Sequence, residues 1–440
     1  MPKRLLLGLA LLASQPSLSA ERDFTLTLSN RLTHHENFFQ TQDNKIKETS
    51  LETGLNLNGE TREQHIDLEA SLSTSHLHYV NGETDNRQRS AGVARMSLHT
   101  ASKRFAWITQ HEETPRLLNI LEQDLDRNNG QQSVFSTGPS VKLRLGNHNR
   151  LNLSHRYTLS RFRNSDADST SHSSTLDLSR NLNKLTSLTW SANHVESEAD
   201  DIASSLTHST ESRVNLALNR RFLGATLALR GGLVRVATEF ADGQTRPTVD
   251  EDEWGANLAF DAYDLSLDVD VSRRLSSNGI GEGRSDQITS QDVDTAPSED
   301  LIGESSFNVL KRQQASISLD TNAIFGRTGF SLLATENRTQ SLYLGMNERK
   351  THRYGLTARR SITPTMRVSL SVIKSTATDL TPQRFQDVNG ELETLTSQLR
   401  YSYISTKRTV VHCQARYEEA EGARFYDDAS ASCGVVWLLI

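Results

Sequence analysis

The sequence predicts an all-β fold: a single closed antiparallel transmembrane β-barrel of about 20 strands (18–22), with short turns at one end, long loops at the other and no plug domain. Three observations predict it. Apolar and polar residues alternate strictly through one segment after another, as in strands with one apolar and one polar face. The connections between these segments alternate between short and long. No stretch supplies the roughly 18–20 consecutive apolar residues of a helical span, and only 35% of the chain is hydrophobic, with a mean hydropathy of −0.54.

In chain order, the first element is a leader. Lys3 and Arg4 precede a nine-residue apolar core, Leu5 to Ala13, and Pro16 and the small residues around Ser17 to Ala20 offer a cleavage region. This layout predicts a secretory signal peptide over residues 1–19, with residues 20–440 forming the barrel. No Cys follows the apolar core, so no lipid anchor is indicated.

The strands follow. Phe24, Leu26, Leu28 and Leu32 alternate with Thr25, Thr27, Ser29 and Arg31. Ile66, Leu68, Ala70 and Leu72 alternate with Asp67, Glu69 and Ser71. The same pattern runs through Leu151–Leu159, Leu265–Val271 and Met366–Val372. It predicts strands over 24–34, 48–58, 65–79, 89–100, 104–113, 133–146, 150–162, 173–181, 185–196 and 208–221. It continues over 225–238, 251–261, 264–273, 312–322, 328–338, 349–360, 365–374, 392–404, 408–417 and 429–440. Most are near the 9–11 residues with which a tilted strand crosses hydrocarbon. Pro115 to Asp126 is the clearest helical candidate, and it is one short segment.

Short connections include 101–103, 147–149, 222–224, 262–263 and 405–407; long, polar ones include 35–47, 114–132, 274–311 and 375–391. Tight turns on one side and polar loops on the other are the pattern of an outer-membrane barrel. Because hydrocarbon satisfies no open sheet edge, such strands must close. Polar faces then line a lumen and apolar faces meet lipid. Trp107, Trp190, Trp254, Tyr263, Tyr403 and Trp437 lie near strand ends, where interfacial girdles form. The longest loop, Arg274 to Lys311, is bendable through Gly279, Gly281, Gly283 and Gly303, and it is expected to fold over or into the lumen.

Arg180-Asn-Leu182, Arg221-Phe222 and Arg360-Ser-Ile362 each join a descending strand to an ascending one, giving a weak repeat of Arg, an apolar residue and a turn. With the leader and hairpins such as Leu176 to Trp190, these turns make the chain resemble a group of poorly characterised bacterial outer-membrane barrels that occur with exopolysaccharide and exosortase (PEP-CTERM) systems. The resemblance covers the mature chain in style and carries over no functional residue. It implies a Gram-negative outer-membrane location and a part in exopolysaccharide export, with any periplasmic export partner on a separate chain. Val436, Leu438 and Ile440 give the alternating apolar ending that barrel assembly machinery reads, with Ile in place of the usual terminal Phe.

Composition narrows the functions. Two Cys and eight Pro exclude a disulfide-dense scaffold and a Pro-rich linker protein, and the net charge of −6 argues against a nucleic-acid partner. No HExxH, GxSxG or CxxC motif is present, so no catalytic residue, metal or cofactor is assigned. His76 and His78 share a strand face but read as ordinary interfacial histidines. Asp166, Asp168 and the run Asp250 to Glu253 read as acidic loop clusters, solvated or facing cation-bridged lipopolysaccharide.

The lumen is the remaining candidate. Ten of the 48 basic residues are Lys, leaving 38 Arg. Arg353, Arg359, Arg367, Arg400 and Arg416 lie opposite the apolar faces of four consecutive strands and predict a basic arc, while Asp67, Glu69, Asp268 and Asp270 predict acidic stretches elsewhere. Arcs of Arg favour anions and offer a planar fork to carboxylate or phosphate. The expected function is a conduit for polar solutes in contact with outer-membrane lipid and lipopolysaccharide. A structural or adhesive surface barrel is the alternative, and an outer-membrane enzyme a distant third. Finally, Cys413 and Cys433 are expected to pair. Antiparallel partners about the loop midpoint, residue 423, have numbers summing to 846, as these two do.

Overall fold

The computed structural model describes residues 21–38, 45–82, 86–117, 129–162, 168–200, 206–240, 248–262, 264–278, 308–321, 327–341, 348–379, 391–422 and 425–439. Residues 1–19, Tyr263, Asp166 and most of the longest loop lie outside this set.

Twenty strands form one sheet. They are β1 Glu21–His35, β2 Glu48–Arg62, β3 Ile66–Tyr79, β4 Arg87–His99, β5 Phe105–Leu117, β6 Asn129–Leu145 and β7 Asn149–Phe162. Next come β8 Ser169–Asn181, β9 Thr186–Asp200, β10 Leu206–Phe222, β11 Ala225–Phe240, β12 Val249–Ala262, β13 Leu265–Asn278 and β14 Asn308–Thr321. The last are β15 Thr328–Ser341, β16 Glu348–Thr363, β17 Met366–Asp379, β18 Glu391–Thr406, β19 Thr409–Gly422 and β20 Tyr426–Leu438. Each pairs antiparallel with its neighbours in sequence, and β1 closes the cylinder on β20 from Thr27↔Leu438 to His35↔Ser430. Among the described residues there is no helix.

Alternation accounts for this directly. Residues opposite each other in a ladder share a face, so one parity runs around the wall. Leu332 is opposite Leu319 and Leu356, and Leu356 is opposite Val372. Leu332, Leu356 and Val372 stand exposed on the outside, with Leu319 half-buried among them, and the intervening Ser, Thr, Arg and Asp face inward. Two-residue turns such as Leu223-Gly224 join the strands at one end; Gly224 there takes φ 75°, a left-handed conformation that disfavours a side chain. Spaced about 4.8 Å apart and tilted about 40°, twenty strands enclose a cylinder roughly 40 Å across between backbones, too wide for side chains to fill.

Three expectations are corrected. The strands run to 13–17 residues rather than 9–11, because pairing continues beyond the apolar band where both faces are polar. Pro115 to Leu117 belong to β5, with Pro115 opposite Gln131, so a helix does not start there, and residues 118–126 of that candidate lie outside the described residues; the strand's end tolerates the missing N–H. Arg274–Asn278 and Asn308–Lys311 are paired strand, so the longest connection shrinks to residues 279–307. The fold predicts a β-type circular dichroism spectrum and a boiled band migrating differently from the unboiled one in detergent gels. A helix-dominated spectrum would refute it.

Girdle residues stand on the outer surface as two belts. Trp107, Trp190 and Tyr403 are exposed toward the short-turn end, and Trp254, Tyr354 and Tyr417 toward the other. At the short-turn rim, Leu182, Phe222 and Ile362 of the repeated turns are exposed, and the Arg220 guanidinium sits 4.9 Å from the Phe222 ring centre. This arrangement suits an interface where the ring meets lipid and the cation meets water.

Candidate functional site

The inner wall carries the charge, and its two ends differ. Buried residues are mostly inward-facing and cluster toward the long connections: Glu48, Tyr79, Ser160, Glu211, Val236 and Glu418 are among them. Toward the short turns the wall is open, with Arg359, Arg367 and Glu69 exposed.

At the packed end, charges are paired. Asp250 to Glu253, expected in a loop, belong to β12, and every one of these acids has a basic partner. On the outward parity shared with Trp254, Asp250 pairs with Arg235 at 2.7 Å and Asp252 with Arg273 at 3.3 Å, while on the inward parity Glu253 pairs with Arg213 at 3.3 Å. Glu251 pairs with Lys311 at 3.0 Å and with Arg273. One of these groups replaces missing ladder bonds. The β12–β13 ladder stops at Trp254↔Arg273. Beyond it, the Leu275 N–H donates to Glu253 Oε1 at 2.9 Å, and Arg213 Nη2 donates to the Leu275 carbonyl at 2.9 Å. Arg213 Nη2 also lies 2.8 Å from Glu211 Oε1. Thus a side-chain pair satisfies backbone groups that the neighbouring strand has abandoned. Replacing Glu253 with Ala removes an acceptor worth about 1.5–3 kcal/mol, so hydrogen exchange at Leu275 is expected to accelerate roughly tenfold or more.

A second cluster locks the closure between β20 and β1. His35 Nδ1 is 3.0 Å from Asp428 Oδ2, and the fully buried Asn37 donates its N–H to Asp428 Oδ1 at 3.1 Å and its amide to the Asp427 carbonyl at 2.9 Å. Lys45 pairs with Asp427. Phe38 meets His35 and Tyr79 edge-on at 5.8 and 5.5 Å. Beside it, Lys47 bonds Glu36 and holds that carboxyl below its ordinary value.

The predicted residues separate into distinct groups. Arg353, Arg359, Arg367 and Arg400 face inward on β16–β18, and none has an acidic partner among the described residues. Arg416 on β19 faces inward too, but it is bound to Glu418, which also accepts from Tyr426 Oη at 2.5 Å. Of the acids, Asp67 lies 3.1 Å from His99 Nε2 and 3.6 Å from Lys103. Glu69 faces Arg95 and Glu60 across its two ladders. Asp268 accepts from Asn257 at 3.2 Å, and Asp270 from Ser272 at 3.4 Å. These acids divide between β3 and β13, half a circumference apart.

Sequence reading missed a second basic stretch. Lys142, Arg144 and Arg150 on β6 and β7 face inward and form no ion pair among the described residues, across the lumen from β16–β18, and Arg95 on β4 faces inward directly opposite Glu69. The signal was present: Lys142 and Arg144 alternate with Val141, Leu143 and Leu145. The wall therefore alternates basic, acidic, basic and acidic around its open half. His76 and His78 face outward, and among the described residues no three His, Cys, Asp or Glu stand close enough to hold a metal.

Cys413 and Cys433 are opposite each other and joined by a disulfide, with Cα atoms 4.1 Å apart. They face outward, flanked in register by Tyr401 on β18 and Leu32 on β1.

No protein-family model matches the chain. No curated protein matches it either. Among solved structures, the FrpB iron transporter from Neisseria meningitidis (F5-1 variant) superposes with a TM-score of 0.56 at 10% identity, over 95% of this chain and 83% of that one. The F3-3 variant gives 0.52 at 10% identity, over 98% and 83%. Pseudomonas aeruginosa OccK2 (OpdF) gives 0.42 at 11%, over 96% and 98%, too loose a fit to argue from. At such identities the likeness is one of architecture: the fold is that of an outer-membrane β-barrel.

Proposed function

We propose that this chain is an outer-membrane conduit for polar solutes and that it takes part in exopolysaccharide export. One observation carries the conduit: a closed cylinder, apolar outside and polar inside, too wide for its own side chains to fill. The outward Leu, Val and Trp would form an aggregating surface in water, whereas in hydrocarbon they are solvated and the closed ladder leaves no open sheet edge. The short turns then face the periplasm and the long connections the cell surface, so the open half of the lumen is a periplasmic vestibule. Similarity to the fold of a known transporter supports the same reading. The export role rests on the family resemblance in the turns and leader, and it calls for a separate periplasmic partner. Insertion would use the barrel assembly machinery, and the outer belt would contact lipid and lipopolysaccharide.

Three experiments test this. Fractionation of cells expressing the full chain is expected to place it in the outer membrane. Liposomes containing the purified barrel are expected to swell in isotonic small sugars; impermeable liposomes with folded protein would contradict the conduit. Deletion from a polysaccharide-producing host is expected to reduce polysaccharide at the surface, and unchanged export would remove that role alone.

A further inference from the structure

Three inward-facing arginines surround one serine on the open half of the wall. Ser369 on β17 is directly opposite Arg359 on β16 and Arg400 on β18. Arg367 lies two residues along β17 on the same face, diagonal to both. Diagonal neighbours are about 7–8 Å apart at Cα, and Arg359 and Arg400 are about 10 Å apart across the strand. Like charges at such spacings repel and are destabilising unless neutralised.

At the packed end of this wall the fold supplies the neutralising group: Glu211 and Glu253 flank Arg213, and Glu418 holds Arg416. Here it does not. The inward positions directly opposite the three or two residues along their own strands, Thr357, Ser361, Ser371, Gln398, Ser402 and Gln414 among them, are uncharged, and the charged residues diagonal to the group, Arg327 and Arg416, are themselves basic. The Arg400 Nε is buried without a hydrogen-bond partner, while Arg359 and Arg367 are exposed to the lumen. Three planar forks ringed by hydroxyls and amides are suited to bind several oxygens of one oxyanion.

We propose that Arg359, Arg367 and Arg400, with Ser369 between them, form a binding subsite for carboxylate- or phosphate-bearing solutes in the periplasmic half of the lumen. This deepens the conduit reading and rests on it for the route by which the solute arrives; the subsite itself does not need flow. Its solute class is multivalent oxyanions, and acidic saccharides are the kind that would fit the export role.

The test is calorimetric titration of the refolded barrel, in detergent free of lipopolysaccharide and at low salt, with sodium tripolyphosphate and separately with citrate. Wild-type protein is expected to bind at least one of them. The R359Q/R367Q/R400Q variant is expected to bind it at least about tenfold more weakly, and a K142Q/R144Q/R150Q variant, with the same loss of charge on the opposite wall, within about threefold of wild type. Heat-modifiability confirms folding; if the first variant does not fold, R400Q alone is read, with a weakening of about threefold expected. Absence of binding by wild type, or equal weakening by both triple variants, would overturn the subsite. Binding without any bilayer current would remove the conduit and leave the subsite; current without binding would do the reverse.

Discussion

Replacing Leu332 with Arg is expected to destabilise the barrel in lipid vesicles by about 2–4 kcal/mol, the cost of a cation near the bilayer midplane on the lipid face of a barrel. Leu332 stands 47% exposed on the outer face of β15, between Phe330 and Ala334 and opposite Leu319 and Leu356. Nothing polar is in register there. The neighbouring Ser331 faces the lumen, opposite Asp320 on β14 and Thr357 on β16. Ser331→Arg is therefore expected to change stability by less than about 1 kcal/mol, the scale of a solvated ion pair. Urea unfolding from vesicles measures both. Because the side-chain period is two, a one-residue error in register would exchange the two results. Equal costs would mean that the wall has no lipid face.

Reduction of the Cys413–Cys433 bond is expected to be the second large effect. The bond closes a loop with a sequence separation of 20, for which the chain-entropy account gives about 3 kcal/mol. It joins the last two strands, and β20 must meet β1 to close the cylinder. C413S/C433S protein is therefore expected to unfold at lower urea and to insert more slowly, with its heat-modifiable band intact once formed. The unreduced, denatured wild type is expected to resist alkylation; uptake of two alkyl groups would end the claim.

Most of the wall was legible because barrel strands write their two faces into the sequence. Leu265, Leu267, Val269 and Val271 against Ser266, Asp268 and Asp270 leave one assignment of inside and outside. Adjacency in sequence then placed Arg353, Arg359, Arg367 and Arg400 on one arc, since a meander puts neighbouring hairpins side by side. The cysteine register was legible because the last connection is symmetric and the β19–β20 ladder has no bulge.

What was not legible has physical reasons. Strand ends at Arg274–Asn278 and Leu206–Ser212 each hold a single apolar residue among polar ones in the sequence, so alternation disappears while pairing continues. Pro115 reads as the start of a short helix, yet a strand end spares its missing donor. The Arg213–Glu253 clamp joins residues that no periodicity connects, and it arises only where one ladder stops early. Pairing of Arg416 with Glu418, which removes it from the basic arc, depends on side-chain direction within one strand.

The central claim is that the cylinder conducts. Purified, folded protein added to a planar bilayer in potassium chloride is expected to insert in discrete current steps, favouring anions, with the preference reduced in R359Q/R367Q/R400Q. Heat-modifiable protein that inserts into the bilayer yet passes no current at any applied voltage would contradict it.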